Sequence, residues 1–209
     1  MTGRIIQADA CVAEGAAWLA AREPRFAAAL DLTGVLPLRR YPEGFARLLN
    51  AIVSQQVSVA SAAAIWGRMQ GAGAVTPAAV LRLTQDELRA LGLSRQKARY
   101  AHALSEAGID YDALRLLPDA QAVGVLTAVP GIGVWTAEIY LMFSLGRADV
   151  FAPGDLALQE AARLLFDLPA RPKDRDLRVM AQDWSPWRSV AARLLWAYYR
   201  HSKQREGIT

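Results

Sequence analysis

Cysteine is nearly absent from this chain, since Cys11 is the single cysteine among 209 residues. One thiol can form neither an internal disulfide framework nor a cysteine-ligated metal cluster. Disulfide frameworks belong to oxidising compartments, so their exclusion favours a cytoplasmic protein.

Long uncharged hydrophobic runs are also missing, although 53% of the residues are hydrophobic. A membrane-spanning helix needs about 20 consecutive apolar residues, and no stretch provides them. Residues 1–10 show neither the basic start nor the apolar core of a signal peptide. We therefore expect a cytoplasmic chain with no membrane partner.

Runs of alternating β-branched residues, which would indicate strands, are absent as well. Alanine and leucine recur at helical spacing, which predicts an all-α fold. The expected helices cover 11–22, 25–30, 45–70, 95–107, 133–145, 155–166 and a last one that Ser185-Pro186 opens and that ends near His201. Thr76-Pro77 and residues 84–87 predict helix N-caps, the second of them a capping box.

The turn Pro130-Gly131-Ile132-Gly133 is the most informative stretch that the chain does contain. Proline fixes one dihedral angle, and each glycine permits a positive φ and a close backbone approach. The N–H groups of residues 131–135 are therefore bare where the next helix begins, as in anion sites. A net charge of +4 is compatible with a polyanion, so we expect a DNA phosphate. The alternative is an ordinary connection between two helices.

Asp155 follows this helix in the chain, directly behind Pro153-Gly154. Aspartate is favoured as a helix N-cap, which is the structural interpretation. A helix N-terminus also favours the carboxylate form, which suits a group that stabilises positive charge. The local sequence leaves both interpretations open.

Six tryptophans are many for a chain of this length. Trp135 and Trp187 begin helices beside turns, where an aromatic face is often exposed to a cleft. Such a face can stack on an electron-poor or cationic ring. Core packing is the alternative for both, and we assign it to Trp196.

Polar and basic residues interrupt the apolar helical pattern at a few further positions. Gln55 and Gln56 lie within an apolar run, either at a helix kink or in a polar loop that enters a groove. Among the basic residues, Lys97 belongs to a basic helix, and Arg188 suits a phosphate or a partner carboxylate. Most such cations simply face solvent.

Together these stretches resemble the helix–hairpin–helix superfamily of base-excision DNA glycosylases. Residues 126–137 resemble its hairpin pattern L-x-x-x-P-G-I-G-x-x-T-A, and 149–155 resemble the following loop, which ends in the catalytic aspartate. Residues 51–60, 133–137 and 184–189 are most similar to the DNA-3-methyladenine glycosylase II group. The resemblance covers roughly residues 40–200.

The resemblance implies a monofunctional enzyme that flips alkylated purines, of the 3-methyladenine and 7-methylguanine type, out of double-stranded DNA and hydrolyses their glycosidic bond. It assigns catalysis to Asp155 and base stacking to Trp135 and Trp187. The remaining implied residues are a phosphate-binding hairpin of Pro130, Gly131, Ile132, Gly133 and Thr136, an intercalation loop with Gln55 and Gln56, and phosphate contacts at Arg188 and Lys97.

The resemblance also bears on cofactors, partners and domains. It implies no cofactor and no metal held by side chains, but allows an alkali ion on the main-chain carbonyls of the hairpin. The partner is double-stranded DNA with damaged bases, and we expect a monomer. Within one glycosylase unit, 1–209, two interlocked helical subdomains are expected around a cleft, with approximate bounds 45–129 and 1–44 with 130–209.

Several departures from the family pattern limit what is implied. Bifunctional relatives carry a lysine nucleophile where this chain has Trp135, which argues against Schiff-base chemistry. The chain has no room for the N-terminal β-rich domain of longer alkylation glycosylases, and it has no C-terminal cysteines for an iron–sulfur cluster. Ile139, Gly154 and Gln56 also differ from some relatives. A glycosylase for uracil, mismatched or oxidised bases and a non-catalytic DNA-binding module are the alternatives.

Overall fold

The computed structural model describes residues 3–206, and their side chains as far as Lys203. Within this range the regular structure is helical, apart from an isolated β-bridge between Ile5 and Arg147. The all-α prediction is confirmed. The first two and last three residues of the expected unit 1–209 lie outside the described residues.

Thirteen α-helices follow one another along the described part of the chain. They are α1 (Asp9–Ala20), α2 (Pro24–Thr33), α3 (Phe45–Ser54), α4 (Val59–Gly71), α5 (Pro77–Leu81), α6 (Gln85–Ala90), α7 (Arg95–Glu106), α8 (Tyr111–Leu116), α9 (Asp119–Thr127), α10 (Val134–Phe143), α11 (Leu156–Leu165), α12 (Asp174–Met180) and α13 (Arg188–Glu206). A 3₁₀ helix, Ala181–Trp184, lies between α12 and α13. None of the helices described between residues 3 and 206 has the length and apolarity needed to cross a membrane.

Side chains cap two helix starts as the sequence predicts. The Thr76 hydroxyl accepts a hydrogen bond from the Ala79 amide at the start of α5. Thr84 and Glu87 form a reciprocal capping box at the start of α6. Each cap satisfies an amide donor that the first turn of a helix leaves without a partner.

Two helix predictions are wrong in extent. The expected helix 45–70 is broken into α3 and α4, because Gln55 adopts extended angles and Gln56 a positive φ of 54°. The Ser58 hydroxyl then caps α4. The last helix continues to Glu206 rather than ending near His201.

The chain divides into two compact units. The first comprises residues 41–140, and the second the described residues up to Arg40 and from Leu141 onward. The sequence predicts a division at 45 and 129, whereas the structure assigns the hairpin and most of α10 to the first unit. Local packing explains the difference, because the buried Tyr140 hydroxyl accepts a hydrogen bond of 2.7 Å from the Gly44 amide.

The core of the first unit is built on α3 and α7. The apolar face of α3 buries Leu48, Leu49, Ile52 and Val53. The small buried side chains of α7, among them Ala98 and Ala101, let the two helices pack closely. This packing holds the end of α3, and the loop that follows it, in a defined place.

The second unit is organised around α13, against which α1, α2 and α11 pack. Its N-terminal residues pair with the segment after α10. The Ile6 amide donates to the Gly146 carbonyl at 2.7 Å, and the Ala148 amide donates to the Arg4 carbonyl at 3.0 Å. This pairing fixes the start of the loop that leads to Asp155.

Candidate functional site

The predicted hairpin is a tight turn between α9 and α10. Its Ile132 side chain is buried and anchors the turn in the first unit. Gly131 has a φ of 93°, and a Cβ atom there would lie 2.5 Å from the Tyr100 ring. Only glycine fits this position without strain. A Cβ atom on Gly133 would meet nothing within 4 Å, so the fold does not require that glycine.

The start of α10 presents backbone donors. The Ile132 amide closes the turn by donating to the Val129 carbonyl at 3.1 Å. Among the described residues, the amides of Gly133 and Val134 have no hydrogen-bond partner, and both residues are exposed. Two open amides at the positive end of a helix dipole can bind an anion.

Two main-chain carbonyl groups of the hairpin already accept hydrogen bonds within the protein. The Gly131 carbonyl accepts a hydrogen bond of 2.9 Å from Gln55 Nε2, and the Val129 carbonyl accepts from Ile132. Each carbonyl oxygen keeps a second lone pair, and neutral oxygen ligands suit a hard cation. The residues are thus compatible with the predicted alkali ion, which stays a prediction.

The polar stretch after α3 is a loop, as one of the two sequence interpretations expected. Gln55 is half-buried and tied to the hairpin through Gly131. Gln56 is exposed and held at a positive φ. The two glutamines therefore have different surroundings: Gln55 links two loops, and Gln56 faces solvent.

Lys97 lies beside the hairpin but is largely buried, at 9% exposure. Its Nζ donates to the Val53 carbonyl at 2.7 Å, and burial lowers the pKa of its ammonium. The alternative of a lysine that simply faces solvent is therefore wrong, because the packing of α3 against α7 encloses it, and the phosphate contact at Lys97 stays a prediction. Lys97 still lines a hollow of about 380 Å³, together with Gln55, Gln56, Ser94, Gln96, Tyr100 and residues 131–133.

A smaller cavity of about 180 Å³ opens between α3 and α10. Its lining includes Trp135, Thr136, Ile139 and Tyr140 from α10. Trp135 is 46% exposed, so part of its ring is accessible. Thr136 is buried at 7% and faces this cavity rather than the outer surface of the hairpin. The cavity is smaller than the ~300–1,000 Å³ typical of drug-sized ligands and suits a ligand the size of a base.

Trp187 is a buried residue of the second unit, with 3% exposure. A Cβ atom on Gly15 would lie 2.6 Å from Trp187 Cε3, so the indole packs directly on the backbone of α1. The Arg4 guanidinium lies over the ring at 4.7 Å. The expectation of a face exposed to a cleft is therefore wrong for Trp187, because Gly15 leaves space for the ring in the core.

Arg188 is engaged with a carboxylate. Its Nε and Nη2 donate to the two oxygens of Asp149 at 2.7 and 2.8 Å, and the Ser185 hydroxyl donates to the same carboxylate at 2.8 Å. Of the two sequence interpretations, the structure shows the carboxylate partner. The bidentate pair fixes the loop after α10 to the start of α13.

Asp155 stands at the N-terminus of α11 and caps it. Its Oδ1 accepts hydrogen bonds from the amides of Ala157 at 3.0 Å and Leu158 at 3.1 Å. Trp196 Nε1 donates to the same oxygen at 3.1 Å. The side chain is half-buried. Three N–H donors stabilise negative charge on Oδ1 and fix the carboxylate in one orientation.

Trp196 is the residue that sequence reasoning missed at this carboxylate. Its ring packs on Phe143 at 5.6 Å between centroids, as a core residue would, but its indole N–H reaches Asp155. The two residues are 41 positions apart. A half-buried tryptophan usually finds a partner for its N–H, which was the available signal.

Comparison with known proteins shows which family shares this arrangement. Residues 49–188 match the family model described as the HhH-GPD superfamily of base excision DNA repair proteins. DNA-3-methyladenine glycosylase 1 of Schizosaccharomyces pombe is 30% identical over 163 residues, which cover 74% of this chain and 72% of the relative. The chain spans 43% of one curated relative from Bacillus subtilis and 33% of one from Mycobacterium tuberculosis.

Two solved structures share the fold. The crystal structure of a DNA-3-methyladenine glycosidase from Bacillus halodurans is similar with a TM-score of 0.81 and 32% identity, over 89% of each chain. The Schizosaccharomyces pombe 3-methyladenine DNA glycosylase Mag1, solved in complex with abasic DNA, has a TM-score of 0.76 at 27% identity. It matches over 88% of this chain and 95% of its own.

Proposed function

Since the chain belongs to the HhH-GPD superfamily of base excision DNA repair proteins, we propose that it is a monofunctional DNA glycosylase for alkylated purines. The substrates are bases of the 3-methyladenine and 7-methylguanine type in double-stranded DNA. The observation that carries the proposal is Asp155, whose carboxylate is oriented by three donors at a helix start. The names of its relatives, 3-methyladenine glycosylases, support the substrate class.

The hairpin holds the DNA backbone in this proposal. The open amides of Gly133 and Val134 receive a phosphate oxygen, and the small side chains let the backbone approach. Phosphate contacts of this kind set the register on the duplex and carry no sequence information. The exposed Gln56 enters the gap that the flipped nucleotide leaves.

The cavity beside Trp135 receives the flipped base. The accessible part of the indole provides a stacking surface, which is typically worth ~1–3 kcal/mol per base. Ile139 and Thr136 close the cavity with mainly apolar surface. Trp187 has no stacking role in this proposal, because its ring is covered by Gly15 and Arg4.

Asp155 carries the chemistry. Breaking the bond between base and sugar builds positive charge on the sugar, as in other glycoside hydrolysis. A fixed carboxylate stabilises that charge and accepts the proton of the attacking water. Trp196 keeps the carboxylate in orientation through its indole N–H.

The reaction stops at base release. A glycosylase that also cleaves the strand needs an amine nucleophile, and the position after the hairpin that relatives use for it holds Trp135. We propose that the enzyme works as a monomer in the cytoplasm, without a cofactor. The near absence of cysteine supports the compartment.

Base release from randomly methylated duplex DNA tests the function. We expect chromatography to detect free 3-methyladenine and 7-methylguanine, and borohydride to trap no covalent adduct with the DNA. Release of uracil or oxidised bases alone, from matched substrates, would point to another lesion. DNA binding without release of any base would identify a non-catalytic module.

A further inference from the structure

The base cavity contains one charged group that the proposed function leaves unused. Arg47 projects from α3 and is the only charged residue among the described residues that line the cavity. Its guanidinium lies over the Tyr41 ring at 4.0 Å, and it makes no hydrogen bond or ion pair with the described residues. Glu43, a nearby carboxylate in sequence, is paired with Arg115 instead.

The surroundings of Arg47 are partly desolvated. Burial lowers the pKa of its guanidinium, but an arginine stays protonated near neutral pH. Arg47 as a whole is half-buried, and none of its nitrogens is both fully enclosed and without a partner, so the guanidinium remains accessible. Since it lines the same cavity as Trp135 and has no acceptor among the described residues, its N–H donors are available to an acceptor on a ligand.

We infer that Arg47 extends the range of this cavity to neutral 6-oxopurines, by raising their excision relative to that of the cationic alkylated purines, which remain substrates. The inference rests on the proposed function, because it takes the cavity beside Trp135 as the base site. A carbonyl oxygen on the base can accept a charge-assisted hydrogen bond from the guanidinium. A base with a fixed positive charge is repelled by it.

The electron balance of base release strengthens this preference. When the C1′–N9 bond breaks, its electron pair stays on the base, and the water oxygen forms the new bond to C1′. A neutral purine then departs as an anion and takes up the proton from water. A cationic purine departs neutral, and that proton goes to Asp155 and on to solvent. A guanidinium at the base therefore stabilises departure of the neutral purine specifically.

Hypoxanthine and 7-methylguanine provide the matched pair of bases for the test. Both carry an oxygen at C6, but hypoxanthine is neutral and 7-methylguanine is positively charged. Single-turnover excision of each from an otherwise identical duplex gives a ratio of rates within one protein preparation. This ratio does not depend on the folded fraction, so a partly unfolded variant still reports on the inference.

Arg47→Gln should lower the hypoxanthine-to-7-methylguanine ratio by about ten- to a hundred-fold, the range of one charge-assisted hydrogen bond. Loss of packing alone would slow both substrates alike. Arg47→Lys, which keeps the charge, should recover part of the ratio. Arg89→Gln removes the same charge from an exposed arginine paired with Asp86, and its ratio should equal that of the wild type.

The possible outcomes distinguish a failure of this inference from a failure of the proposed function on which it rests. An active Arg47→Gln protein with an unchanged ratio overturns the inference alone, as does a wild type that excises 7-methylguanine but not hypoxanthine. An equal change in Arg89→Gln also overturns it, since position in the cavity would then be irrelevant. A wild type that releases 3-methyladenine but neither of these two bases also overturns the inference alone. A wild type that releases none of the three bases contradicts the proposed function itself.

Discussion

The starts of α10 and α13 are alike in sequence and opposite in structure. Each follows a turn that contains proline, and each has a tryptophan at its start: Trp135 lies in the first turn of α10, and Trp187 directly precedes α13. Trp135 at the start of α10 is 46% exposed, whereas Trp187 at the start of α13 is 3% exposed. At α10 the amides of Gly133 and Val134 have no partner among the described residues.

At the start of α13, by contrast, a backbone amide and a basic side chain make hydrogen bonds within the protein. The Ser189 amide donates to the Ala148 carbonyl at 2.9 Å, and Arg188 pairs with Asp149 through two hydrogen bonds. The amide and the guanidinium that could bind a ligand at α13 therefore hold the preceding loop in place. A helix start can bind a ligand where the fold leaves its backbone donors without internal partners.

The largest effect that separates the two starts is expected at Trp187. Trp187→Ala leaves a cavity against Gly15 and should lower the free energy of unfolding by ~3–5 kcal/mol. Chemical denaturation measures the loss, and excision per folded molecule should change little. A stable variant that had lost only excision would restore the stacking role predicted from the sequence.

Trp135→Ala should give the opposite result. Its exposed ring contributes little to the core, so the melting temperature should change slightly. Excision should fall with the loss of base stacking, worth ~1–3 kcal/mol. Trp135→Phe, which keeps an aromatic surface, serves as the control and should lose less. Equal excision by all three proteins would remove Trp135 from the base site.

The smallest effect concerns the two hairpin glycines. Gly131→Ala should destabilise the fold by ~1–2 kcal/mol for the positive φ, and further through contact with Tyr100. Gly133→Ala should leave stability nearly unchanged, because no atom lies within 4 Å of the new Cβ. Its effect should appear as weaker binding to damaged and undamaged DNA alike, measured by fluorescence anisotropy. Loss of lesion preference alone, with normal binding to undamaged DNA, would contradict the phosphate role.

Local chemistry made part of this structure predictable. The caps at Thr76 and Thr84 and the glycine turn at 130–133 depend on neighbouring residues, so the sequence shows them directly. The break at Gln56 is less predictable, because two glutamines in an apolar run are compatible with both a helix kink and a loop.

Tertiary packing decided the rest. Trp187 is buried because Gly15, far away in the chain, makes room for it, and Lys97 is enclosed because α3 packs on α7. The Trp196 bond to Asp155 joins two helices whose approach no local pattern encodes. Glu43 likewise pairs with Arg115, 72 positions away, and no local pattern predicts that ion pair.

The catalytic role of Asp155 is tested most directly by Asp155→Asn, through single-turnover excision of an alkylated purine. Asparagine keeps an oxygen that can cap α11 and accept from Trp196, so the melting temperature and DNA affinity should be largely retained. It has no negative charge to oppose a sugar cation and cannot accept a proton from water, so excision should fall by ~10²–10³-fold. Excision near the wild-type rate at an unchanged melting temperature would contradict the account and leave Asp155 as a helix cap.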